Sequence, residues 1–283
     1  MKLNFRTVLC AFVSAASAGA AAAAPITFNT ALPVSKGELL ARQQFILTRL
    51  TDTIGGTRRA VTVHAGVSVL GYGVNPKLAF FGVLPVLNID RNIGGVRSNV
   101  TGLGDAKLFA RMQIFRRDTP GRTVRIAPFA GLTLPTGDEG KTGDGSVDGF
   151  GGLIVTAAST NWNFDSQIRY DLNRRANGFE RGDTASADAS LQVRLLPKTI
   201  ASSTSGFLYG VMETNVTYSQ RDRFSGLINP DSGGVQATVS PGLQYATRRW
   251  IAETALKIPL VNDLHGLALE PDYSLVTSVR FNF

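Results

Sequence analysis

A chain of 283 residues, 43% of them hydrophobic and only 18% charged, is long enough to bury a large core as one or two domains. The formal charge of +8 invites a nucleic-acid partner, but the basic residues are scattered and their densest runs are pairs such as Arg58-Arg59 and Arg248-Arg249. Nucleic-acid binding needs basic residues clustered on one face, so that class is set aside. The single cysteine, Cys10, allows no intrachain disulfide and no cysteine metal cluster.

The N-terminus reads as an export signal. Lys2 and Arg6 form a positive start, Thr7 to Ala18 a short apolar run, and an alanine tract ends at Ala24. Residues 1–24 are therefore expected to be a signal peptide, and its removal takes Cys10 with it. Residues 25–38 follow as a short N-terminal segment, too short for a plug domain but able to enter a lumen. Residues 39–283 are expected to form the folded unit.

From there on the sequence alternates. In Asn161 to Asn173, Trp162, Phe164, Ile168, Tyr170 and Leu172 share one parity, while Asp165, Gln167, Arg169 and Asp171 share the other. Successive side chains of a strand point to opposite faces, so this is a strand with one apolar and one wet face. The pattern recurs over 105–115, 122–134, 184–196 and 234–246. Twelve strands are expected, near 39–51, 58–71, 77–91, 101–117, 121–136, 147–159, 160–173, 183–196, 205–220, 233–247, 248–260 and 271–283.

Alternation alone also fits a soluble sandwich, and three features separate the two. The alternating runs reach about 11–13 residues, where soluble strands cluster near 5–6 and a tilted membrane strand needs roughly 9–11. The connections are short on one side (Tyr72 to Pro76, Asp118 to Gly121, Ser159 to Asn161, Ala246 to Arg249). On the other side they are longer and polar (Asn92 to Val100, Gly137 to Ser146, Arg174 to Gly182, Arg221 to Ser232, Val261 to Glu270). Pro197 to Ser205 and Thr51 to Thr57 fit that asymmetry less well. Finally, Tyr273, Leu275, Val279, Phe281 and Phe283 occupy every second position back from the last residue, apart from Thr277, which resembles the sorting signal read by the bacterial barrel-assembly machinery. The expected fold is all-β, a transmembrane antiparallel β-barrel of about twelve strands in the outer membrane of a Gram-negative bacterium. Trp162, Trp250, Tyr209, Phe115 and Phe281 are expected in an aromatic girdle at the short-turn end.

Several motifs resemble the outer-membrane barrel family labelled meta-pathway phenol-degradation transporter. They are Gly71-Tyr72-Gly73-Val74, Gly102-Leu103-Gly104-Asp105, Leu134-Pro135-Thr136-Gly137-Asp138 and Gly149-Phe150-Gly151-Gly152. The resemblance covers residues 37–283 and implies a barrel passing small, often aromatic or hydrophobic, solutes; it supplies no binding residue. Read physically, the glycines relieve crowding within strands, Pro-Thr-Gly-Asp stops one, and Asp105 is placed to accept from turn amides.

The wet face carries the candidate site. Lys107, Arg111, Arg125, Asp165, Arg169, Asp171, Asp188, Arg194, Glu213, Glu253, Lys257 and Arg280 are expected to point into the lumen and set its field. The acidic loop 138–148 lacks EF-hand spacing, and the chain has only two histidines, His64 and His265. No metal, cofactor or catalytic residue is therefore assigned. The function expected is an outer-membrane channel or transporter for small hydrophobic or aromatic compounds, working by passive or facilitated diffusion. A structural or adhesive barrel with a blocked lumen is the alternative, and an outer-membrane hydrolase ranks below both. The expected partners are outer-membrane lipid, the barrel-assembly machinery and small-molecule solutes.

Overall fold

Strand after strand, the chain folds back on its predecessor until the last pairs with the first. A computed structural model describes residues 23–201 and 204–283; the signal-peptide reading falls almost wholly on residues outside these. Twelve antiparallel strands close into a barrel. They are β1 (Leu39–Ile54), β2 (Thr57–Asn75), β3 (Leu78–Ile93), β4 in three segments (Val96–Leu103, Ala106–Met112 and Phe115–Thr119), β5 (Arg122–Leu134), β6 (Asp148–Ser159), β7 (Trp162–Leu172), β8 (Thr184–Leu196), β9 (Gly206–Ser219), β10 (Gly234–Thr247), β11 (Trp250–Leu264) and β12 (Pro271–Asn282). Closure runs from Leu40 opposite Asn282 to Thr48 opposite Ser274 in unbroken register. The Phe283 amide adds a bond to the Leu39 carbonyl at 2.8 Å.

The distribution of polarity is inverted relative to a soluble protein. Phe45, Leu70 and Ile168 are each near 60% exposed on the outside, while Asp165, Gln192 and Glu213 are 0% exposed inside. Water would penalise that arrangement, whereas lipid requires it, and a closed barrel is one of the two backbones that leave no unpaired edge in lipid. No helix among the described residues is long and apolar enough to cross a membrane.

One end, the turn end, holds both chain termini of the barrel and connections as short as Pro76-Lys77 and Arg248-Arg249; the other, the loop end, carries most of the long connections. Two expected loops are corrected. Thr51 to Thr57 and Asn92 to Val100 contract to two-residue hairpins at Gly55-Gly56 and Gly94-Gly95. All four glycines have positive φ (56°, 80°, 58° and 89°), which a primed hairpin turn demands of both central residues. The tall β3–β4 hairpin leaves the apolar belt: outward Asn88 bonds Thr101 at 2.6 Å, and Asn99 bonds Asp90 at 2.5 Å. The long loops also gain structure the alternation did not announce. Residues 175–180 and 223–228 pair as a small four-stranded sheet, with Phe179 and Phe224 rings 5.0 Å apart.

Trp162, Trp250, Phe115 and Phe281 face outward near the turn end, and Tyr245 joins them 5.5 Å from Trp250. Tyr209 is a correction. It sits on the interior face opposite Arg194 and Gln244, because its parity on β9 is that of buried Val211 and Glu213. Tyr273, Leu275, Val279, Phe281 and Phe283 all lie exposed along β12 and its end.

Candidate functional site: a strapped lumen

All twelve charged residues expected on the wet face share interior parity with buried neighbours along their strands. They fall into groups. Lys107, Arg111, Arg169 and Asp171 surround a patch of aromatic rings. Asp165, Glu213 and Glu253 face the N-terminal segment, and Arg280 pairs in register with Arg42 and Ile251. Asp188 accepts from Asn215 at 2.8 Å and Gln167 at 3.1 Å, and Lys257 lies on β11 opposite Ser274. At the turn end Arg125 bonds Gln113 at 2.7 Å and Arg194 bonds Asn161 at 2.6 Å.

The largest departure from an open pore is the N-terminal segment itself. Residues 23–34 cross the interior as a strap, with Ala23, Ile26, Ala31 and Val34 buried. Glu213 anchors it, accepting from the backbone amides of Ile26 (2.7 Å) and Thr27 (3.0 Å) and from the Thr27 hydroxyl (2.6 Å). The Ile26 carbonyl accepts from Arg42 at 2.5 Å and Gln44 at 3.1 Å; Arg42 is itself paired with Glu253 at 2.6 Å. Gln244 holds Ala24 through both its amide and its carbonyl, at 3.2 and 2.9 Å. The Asn163 amide reaches the Ala23 carbonyl at 3.2 Å, and the Thr156 hydroxyl accepts from the Ala31 amide at 2.8 Å. Arg111 donates to the carbonyls of Thr30 and, at 2.6 Å, Leu32. A non-repetitive backbone in a low-dielectric interior must find such partners for its amides and carbonyls, and here side chains from six strands of the wall supply them.

Beside the strap, four rings from β3 to β6 form one cluster. Phe81 stacks on Phe109 at 4.8 Å with planes 12° apart, and Phe129 and Phe150 meet Phe109 edge-on at 6.2 and 6.0 Å. Ala31 and Val34 of the strap pack into the same cluster. Three cations lie over its rings: Arg169 over Phe150 at 4.2 Å, Arg111 over Phe81 at 5.0 Å and Lys107 over Phe150 at 5.7 Å. Arg169 is also held by Asp171 through bonds of 2.7 and 2.5 Å.

The family-like motifs turn out to build this region. A Cβ on Gly71 would fall 2.6 Å from the Phe81 ring, and one on Gly73 would fall 2.0 Å from the Ser35 carbonyl, where the strap enters. A Cβ on Gly152 would strike the Phe129 ring at 2.6 Å. Asp105 accepts from the amides of Gly137 (3.0 Å) and Asp144 (3.1 Å), tying the loop after β5 to the break in β4. Sequence reasoning missed the four phenylalanines, because a Phe at wet-face parity reads as an interruption of alternation. It also missed Arg42, whose strand mixes polar and apolar residues on both faces. His64 faces outward between Leu47 and Asn88, and no hydrogen bond joins it to a serine among the described residues.

Over 92% of this chain and 100% of the other, the fold matches the COG4313 outer membrane channel from Pseudomonas putida F1, with a TM-score of 0.69 at 12% identity. The translocator domain of autotransporter NalP from Neisseria meningitidis matches with a TM-score of 0.48 at 13% identity, covering 89% of this chain and 91% of that one. The β domain of the Bordetella autotransporter Brka gives 0.46 at 12% identity, covering 88% and 100%. None of the curated proteins matches the sequence. Residues 51–253 match the family described as "Putative MetA-pathway of phenol degradation", and the chain belongs to that family.

Proposed function

We propose that the protein is an outer-membrane channel of a Gram-negative bacterium that admits small hydrophobic or aromatic compounds by passive or facilitated diffusion. The observation that carries this reading is the two-sided interior. Apolar side chains such as Val63, Val67, Leu87 and Ile89 line the β2–β3 wall, continuing into the phenylalanine cluster, and charged and amide side chains line β7 to β10. A solute with an apolar ring and a polar substituent finds a partner for each part in such a passage. The family's link to phenol degradation supports the same chemistry. In this reading the short turns face the periplasm, residues 1–24 direct export and leave a strap that begins at Pro25 and keeps its anchors at Glu213, Thr156 and Arg111, and Tyr273 to Phe283 address the chain to the barrel-assembly machinery.

The strap favours one competing reading, a barrel with a blocked lumen whose outer loops do the work. Ion conductance of the refolded protein in planar bilayers separates the two. Discrete steps, reduced by added phenols and aromatic acids and altered by Arg169→Glu, are expected of the channel. A silent barrel that still shows heat-modifiable migration would contradict it and favour the blocked lumen.

A further inference from the structure

Arg111 is 7% exposed, and among the described residues no carboxylate pairs with it. Its two terminal nitrogens instead donate to two carbonyls of the strap, those of Thr30 and Leu32, while its guanidinium plane lies 5.0 Å over Phe81. Asp165 attracts Arg111 only from beyond ion-pairing distance, and a desolvated cation whose hydrogen bonds all go to neutral acceptors is incompletely compensated. A guanidinium fork matches a carboxylate, which brings a negative charge into direct contact as well as two acceptor oxygens. Rings are already in place next to it, with Phe81 stacked on Phe109 and Phe129 edge-on to Phe109.

We propose that Arg111 and the Phe81–Phe109–Phe129 wall form a binding subsite for an aromatic carboxylate, and that the Thr30–Leu32 stretch of the strap occupies it as a built-in competitor. The strap carbonyls stand where the carboxylate oxygens bind, and Ala31 and Val34 cover the rings that take the aromatic group. Solute binding therefore releases the strap from β4. The inference rests on the channel reading and supplies it with a solute class and an opening step. Glu213 keeps the Ile26–Thr27 half of the strap seated, so the ring-covering portion comes free once Thr30 and Leu32 leave Arg111 and the Ala31 amide leaves the Thr156 hydroxyl.

The test uses protein purified from outer membranes and benzoate as the probe, with acetate and toluene as the ring-less and charge-less controls. Equilibrium dialysis is expected to show one benzoate site, weakened about tenfold or more by Arg111→Gln. In a Cys10→Ser chain, maleimide labelling of Ala31→Cys is expected to rise about tenfold on saturation with benzoate, and far less with either control. Benzoate binding that Arg111→Gln leaves unchanged, or labelling that benzoate does not accelerate, overturns the proposal. If Arg111→Gln fails to fold, Phe109→Leu replaces it: weaker benzoate binding is expected, and unchanged binding overturns the ring assignment. A strap-deleted barrel that conducts while benzoate fails to bind rejects the subsite and leaves the channel. A barrel that binds benzoate but stays silent without its strap rejects the channel and leaves the subsite.

Discussion

At Glu213 one buried carboxylate takes three hydrogen bonds from two consecutive residues of the strap, and Ser190 adds a fourth at 3.0 Å. Charge-assisted bonds of this kind contribute about 1.5–3 kcal/mol each. Glu213→Ala should therefore unseat Ile26 and Thr27, and hydrogen exchange of their amides is expected to accelerate at least about tenfold; unchanged protection would show that the wall, rather than this residue, holds the strap. Gly73→Val should act from the other end, since its side chain would collide with the Ser35 carbonyl. Labelling of a cysteine at position 31 is expected to become fast in that variant without any solute. The charges at this scale were legible, because a period of two assigns parity regardless of tertiary detail. The rings were not: Phe81, Phe109, Phe129 and Phe150 are apolar residues at polar parity, and only the register of neighbouring strands, with Phe81 opposite Phe109, reveals that they meet.

Strands were recognisable where one face is apolar and the other wet, as in β7, whose observed Trp162–Leu172 lies within the expected 160–173. β3 and the upper part of β4 were harder. Their interior faces carry Leu87, Ile89 and Val100 while their outward faces near the loop end carry Asn88, Asp90 and Asn99, so the polarity reverses along the hairpin. That reversal hid the Gly94-Gly95 turn and made its flanks look like a loop. The break in β4 at Gly104-Asp105 has a structural task instead, because Asp105 fastens the loop that follows β5. Asp105→Ala should raise exchange at the amides of Gly137 and Asp144 about tenfold while leaving the strand ladders protected; a loss of protection across the whole barrel would mean that Asp105 supports the fold itself. At the seam, Phe283 bonds Leu39 in both directions, at 2.8 and 3.1 Å. Removing Phe283 is expected to lower the yield of heat-modifiable barrel in cells more than in detergent refolding. An equal loss in both would point to closure rather than to targeting.

For the molecule as a whole, apolar outside and charged inside fixes the environment, and the alternation of the sequence already carried that inversion. The occupant of the lumen is a different matter. Residues 25–38 have neither the length of a plug domain nor the periodicity of a strand, so their place depends on partners scattered over β1, β4, β6 and β9. Such long-range pairings leave no local pattern to read. In the proposed channel the strap, rather than the wall, closes an otherwise conductive barrel. The most direct test is planar-bilayer conductance of the intact protein beside a variant lacking residues 27–34. Steps of low or intermittent conductance are expected for the intact protein and steady, larger steps for the deletion. Identical behaviour of the two proteins, with the deletion still folded, would contradict closure by the strap.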